Sequence, residues 1–199
     1  MALSLQKDMR VTMINEIKKC VEVLKKGGTI LYPTDTIWGI GCDATNQKAV
    51  EKIYHLKKRV ENKSLIILLA DMKEISKYMK TFPDIARDLM KNVERPLTII
   101  YPNAQNLAKN VIAEDNSIAI RIVKNEFCKS LIRAFGKPIV SSSANISGEP
   151  AAMVFKCVSK EILNHVDYVV TLYQDVLQEV KPSRIIKLKE NGEFHIIRP

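Results

Sequence analysis

Three segments of the chain carry side chains that a hydrophobic core has no use for. The first is Pro33-Thr34-Asp35-Thr36-Ile37-Trp38-Gly39-Ile40-Gly41. Hydroxyls and a carboxylate between a proline and two glycines, directly after a short apolar run, suit a loop that meets a ligand at a strand end. A plain turn with local Thr and Asp bonds is the competing reading. The second is Lys57-Lys58-Arg59, with Lys63 shortly after. Arginine grips phosphate through paired hydrogen bonds and lysine acts as a point charge, so together they can hold a polyphosphate. A charged helix end, favoured by the helix dipole, explains the same run. No G-x-x-x-x-G-K-[ST] pattern occurs, which excludes the P-loop way of cradling phosphates. The third is Ser141-Ser142-Ser143-Ala144-Asn145-Ile146-Ser147-Gly148, whose hydroxyl and amide donors can surround an anion, or simply form a serine-rich loop. Without a G-x-S-x-G pattern, a hydrolase serine is not indicated.

Smaller cues point the same way. Arg121 stands inside the apolar run SIAIRI, and an arginine in that position needs an anionic partner. Ser183 and Arg184 follow Pro182, and Arg198 ends the last apolar run. The set is rich in donors and cations and poor in acids and bases, which fits anion positioning better than proton transfer. Cys20, Cys42, Cys128 and Cys157 lie far apart, as do His55, His165 and His195, so no zinc site is expected. Widely spaced cysteines suit a reduced, cytoplasmic compartment. The net charge of +9 draws polyanions without saying which, and a solvated lysine-rich surface gives the same number. No apolar run is long enough for a signal peptide or a membrane span, so neither is expected.

The elements that must carry these segments alternate between helix and strand. Val11, Ile14, Ile17, Val21 and Leu24 recur at helical spacing and stop at Gly27-Gly28, which leaves residues 1–10 as a loose tail. Strands are expected at 29–32, 64–70, 97–101, 118–122, 138–141 and 167–171, with the Gly39 region read as a loop. Helices are expected from an N-cap at Asn46 to Leu56, at 72–80, 83–92, 127–135 and 156–164. The tail from Arg184 to Ile197 reads as a hairpin on a two-residue Asn191-Gly192 turn. This alternation predicts a single α/β domain over 1–199, with a mixed sheet because of the terminal hairpin.

Taken in order, YPTDTIWGIGCDA, LKKR with Lys63-Ser64-Leu65, RPLTIIYP, SIAIRI, PIVSSSANISGEP and PSRII closely resemble the YrdC family of threonylcarbamoyl-AMP synthases, from about residue 11 onward. The resemblance implies a twisted open α/β fold with flanking helices around a concave basic cleft. It also implies a reaction in which L-threonine and bicarbonate form a carbamate that attacks the α-phosphate of ATP, releasing pyrophosphate for later tRNA modification by partner proteins. By resemblance, Thr34, Thr36, Arg121, Ser141 and Ser183 contact substrate, with Arg121 on the threonine carboxylate. Arg59, Lys63, Ser117, Ser143, Asn145 and Arg198 contact the nucleotide. Lys57, Arg59 and Lys63 are expected to neutralise the departing pyrophosphate, helped by the Mg²⁺ that ATP brings. Val60, Leu68 and Arg184 depart from the common pattern. The resemblance is to the short, single-domain type, for which product transfer is expected to depend on separate partners.

Two other readings share these features. An RNA-binding module fits the charge but lacks an aromatic platform, with one Trp and no RNP-like pattern. A carbamoyl-transfer maturation module would call for accompanying domains.

Overall fold

The computed structural model describes residues 2–59, 65–91, 95–175 and 182–199. In chain order the elements are α1 (Ala2–Lys25), β1 (Ile30–Tyr32), β2 (Gly39–Gly41), α2 (Gln47–Leu56), β3 (Ile66–Leu69), α3 (Asp84–Lys91), β4 (Leu97–Tyr101), β5 (Ile118–Ile122), α4 (Glu126–Phe135), β6 (Ile139–Ser143), α5 (Lys160–His165), β7 (Tyr168–Val169), β8 (Arg184–Leu188) and β9 (Phe194–Arg198). The strands form one mixed sheet in the order β7-β1-β2-β6-β3-β5-β4-β8-β9. Pairs β1/β7, β3/β5 and β4/β8 are parallel and the remaining neighbours antiparallel.

The helices start where their polar residues dictate. Asn46 caps α2 by accepting from the Ala49 N–H at 3.2 Å, and Asn125 caps α4 by accepting from Cys128 at 3.0 Å. Gly136 ends α4 in the left-handed region, with φ 77°. α1 buries Ile17, Cys20 and Leu24 and packs on α4 and β1. Its buried Glu16 accepts from the Tyr168 hydroxyl and the Thr171 N–H, both at 2.8 Å, which ties the helix to β7. Residues 2–10, expected as a loose tail, continue α1, in keeping with their run of good helix formers.

Three local expectations differ from what forms. Met72–Lys77 is a 3₁₀ helix rather than part of an α-helix. The region 156–164 splits into a 3₁₀ turn at Phe155–Cys157 and α5, because Ser159 caps a new helix by accepting from Ile162. The last hairpin does not turn on two residues. Gly192 alone takes a positive φ, 85°, and Lys189 pairs with Glu193 across a three-residue loop, since Asn191 stays out of the left-handed region that a two-residue turn requires.

The largest difference is β2. Gly39-Ile40-Gly41, read as loop, is an interior strand between β1 and β6. Its glycines allow close approach: a Cβ on Gly41 would lie 2.7 Å from the Tyr32 ring and 2.7 Å from the Val140 carbonyl oxygen. Backbone cannot yield as a side chain can. Gly41→Ala is therefore expected to cost about 2 kcal/mol or more by overpacking, measured as a lower urea midpoint; an unchanged midpoint would contradict this packing.

Candidate active site

The sheet's pairing registers bring the polar residues together. Leu68 and Thr98 flank Arg121 on the two neighbouring strands, Ser141 sits opposite Ile66, and Ser143 opposite Gly39. Above them lies a cleft of about 420 Å³, closed at the sides by the loop after β1 and by the ends of β8 and β9. Thr34, Thr36, Arg59, Arg121, Ser141, Ser143, Ser183 and Arg198 all line it, with no carboxylate among the described lining residues.

Arg121 is the centre of this arrangement. It is only 4% exposed, yet among the described residues no carboxylate lies within 4.0 Å of its guanidinium. Nη1 donates to the Thr36 hydroxyl at 3.2 Å, and the buried Nε has no partner among the described residues. A buried cation with so little compensation is costly unless an anion arrives.

The proton directions around it can be read from the acceptors. Thr34 donates its hydroxyl to the Ile37 carbonyl at 2.7 Å, so in its 3.1 Å contact with Thr36 it must accept. Thr36 thus gives its own proton to Thr34 while accepting from Arg121. A second row runs along the far wall. Arg198 donates to the Ser183 carbonyl at 2.8 Å and to its hydroxyl at 3.2 Å, and that hydroxyl meets Thr98 at 2.8 Å. Burial lowers the pKa of Arg59 and of Arg198, the latter helped by Arg121, but from so high a start both keep their charge.

Lys57 sits elsewhere than on the cleft wall. It is 2% exposed, and its ammonium donates to the backbone carbonyls of Ser143 and of Asn145, the latter at 2.5 Å. It holds the serine-asparagine loop from behind, and Ser147 returns an N–H to the Lys57 carbonyl at 2.9 Å. Asn145 also stays off the lining. Its Nδ2 donates to Ile146 and Glu149 carbonyls at 2.9 and 2.8 Å, which fixes the amide's orientation. The Ser117 hydroxyl donates to Asp115 at 2.5 Å, and Ser117 does not line the cleft. Lys63 and Val60 lie outside the described residues. Leu68 is fully buried and Arg184 is exposed at the start of β8.

The K-x-R spacing is explained by how α2 ends. Lys58 N–H bonds to His55 and Arg59 N–H bonds to Tyr54, which is the Schellman arrangement, with Lys58 at φ 49° where glycine is usual. This reversal sends Lys57 into the protein and Arg59 into the cleft. Sequence reading missed Thr98, although a lone threonine in the run LTIIY was a visible signal, and it missed Gly39 as lining.

The family profile described as telomere recombination, which groups Sua5, YciO and YrdC, matches residues 22–199. The chain belongs to the Sua5/YciO/YrdC family. Among curated relatives, it is 36% identical over 143 residues to a threonylcarbamoyl-AMP synthase of Hahella chejuensis, covering 71% of this chain and 78% of that protein. A putative threonylcarbamoyl-AMP synthase of Methanocaldococcus jannaschii is 36% identical over 181 residues, covering 88% and 84%. The solved structure of P. abyssi Sua5 complexed with L-threonine superposes with a TM-score of 0.81 at 25% identity; 92% of this chain is covered, but only 53% of that one, so the family member described here spans about half of Sua5. E. coli YciO shares the fold, with a TM-score of 0.79 at 24% identity over 92% of this chain and 87% of its own.

Two outcomes follow from the turn and the buried lysine. Lys58→Gly relieves a left-handed residue and should raise stability by about 1 kcal/mol, less the small loss of the exposed Lys58–Glu161 pair at 2.9 Å, as read from the denaturant midpoint. Burial first, and then Arg59, pushes the Lys57 amine down to about 8. An unfolded chain keeps that proton to roughly pH 10.4, so between these values the unfolded state binds more protons and stability rises with pH. Lys57→Met should cost about 2 kcal/mol or more near neutral pH by stranding two carbonyls, and its deficit against the wild type should widen above pH 8.

Proposed function

We propose that the chain is an L-threonylcarbamoyladenylate synthase acting in tRNA threonylcarbamoyladenosine formation. The observation that carries the reading is Arg121, a buried guanidinium without a carboxylate partner among the described residues, beside Thr36 in a cleft lined by further arginines and serines. A ligand carboxylate supplies the missing anion, and the threonylcarbamoyl-AMP synthases among the relatives supply the reaction.

In this reading L-threonine sits with its carboxylate on Arg121. The proton of Thr36 is committed to Thr34, so its free lone pair accepts from the substrate amine. Thr34 and Ser141 complete that end. The amine takes up carbon from bicarbonate to give a carbamate and water. A carbamate oxygen then attacks the α-phosphorus of ATP, forming the acyl–phosphate bond as the bond to pyrophosphate breaks. Arg59 and Lys63 hold the nucleotide phosphates, with Ser143, Ser183 and Arg198 along the wall, and the entropic gain is the alignment of two labile partners. Lys57, Asn145 and Ser117 contribute from behind, by shaping the loops that carry these groups. Among its described lining residues the cleft has hydroxyls and arginines and no carboxylate, and ATP would bring Mg²⁺ on its own phosphates. The product passes to separate tRNA-modifying proteins in the cytoplasm. No helix among the described residues is long and apolar enough to cross a membrane.

The test is pyrophosphate release in the presence of ATP, L-threonine and bicarbonate. Release should require all three, and release that proceeds equally without threonine refutes the assignment. Arg121→Ala should weaken threonine binding by about 2–4 kcal/mol, roughly 30- to 1,000-fold, with little change in the affinity for ATP.

A further inference from the structure

Asp35 lies between the two threonines of the first loop, but its carboxylate serves a different element. Thr34 and Thr36 line the cleft, whereas Asp35 Oδ1 accepts two backbone N–H groups, from Lys124 at 3.0 Å and from Asn125. These two peptides connect β5, which carries Arg121, to α4, which Asn125 itself caps. A second contact reinforces the same seam, since the Cys128 thiol reaches the Pro33 carbonyl at 3.2 Å. One carboxylate therefore joins the loop that presents Thr36 to the strand exit that fixes Arg121. Those two side chains meet at 3.2 Å beside that junction.

We infer that Asp35 is a positioning residue for the anion site, setting Thr36 against Arg121 by its oxygen's hydrogen bonds and not by its charge. Carboxylates accepting backbone N–H groups make strong, directional contacts. Two N–H donors left without an acceptor would let the loop shift, and displacements on the ångström scale are enough to impair a site of this kind. The inference rests on the reading of this end of the cleft as the threonine site.

Asp35→Asn keeps the accepting oxygen and removes the charge, while Asp35→Ala removes both. In the pyrophosphate assay Asp35→Ala should raise the KM for threonine by about ten-fold or more and leave the KM for ATP within about twofold. Asp35→Asn should stay within about threefold of the wild type. Equal damage by both variants would mean that charge is at work and would overturn the proposal, as would an equal rise in both KM values in Asp35→Ala. A ligand-free readout separates this from the synthase reading. By NMR on the unliganded proteins, Asp35→Ala should speed amide exchange at Lys124 and Asn125 and move the Arg121 Nε–H resonance, and Asp35→Asn should restore both. An unmoved Arg121 resonance in Asp35→Ala refutes the positioning role even if the wild type proves to be no synthase. Should Asp35→Ala fail to fold, Asp35→Ser, with one short acceptor, is read in the same two ways.

Discussion

A guanidinium taken out of water without a carboxylate beside it is the constraint from which the rest of the cleft follows. Arg121 is buried in the sheet, and its only hydrogen-bond acceptor among the described residues is the Thr36 hydroxyl. A folded protein tolerates that cost only if surrounding structure holds the residue in place. Here the holding is done by strands on both sides, β3 and β4, and by a loop whose hydroxyls run in sequence toward the Ile37 carbonyl. The guanidinium is thus held by the fold itself, with a local deficit of negative charge among the described residues.

The other cations are distributed by the same logic of burial. Lys57 satisfies two carbonyls behind the serine-asparagine loop, where a compact ammonium fits. Arg59 and Arg198 line the cleft, where a planar fork is more useful. Neither role depends on the overall excess of positive charge. In the cleft a few arginines are fixed among hydroxyls, and no lysine is among its described lining residues.

Much of this was legible in the sequence. The helix cap at Asn46 and the helix stop at Gly27 come from residues that act locally, so those element ends could be read directly, whereas the Asn125 cap of α4 went unread. The apolar runs of β3, β4 and β5 fixed an α/β class for the same reason. β2 could not be read that way, because its glycines have no strand propensity and owe their place to the closeness of Tyr32 and Val140. The polar motifs pointed to the cleft wall at Thr34, Thr36, Arg121 and Ser141, yet residue type alone did not separate Arg59, which lines it, from Lys57 two places earlier, which does not. Direction is a property of the backbone turn between them, and a lysine at its left-handed position gave no glycine to announce it.

That turn has a consequence for how the chain can vary. Because Lys58 reverses the backbone, cations two residues apart serve opposite sides of one wall, a spacing that a continuous helix would place on different faces for another reason. Inserting or deleting a single residue there would move at least one of the two cations out of its environment, leaving two carbonyls without their ammonium or the cleft without this guanidinium. The segment therefore tolerates changes of residue at its middle position far better than any change in its length.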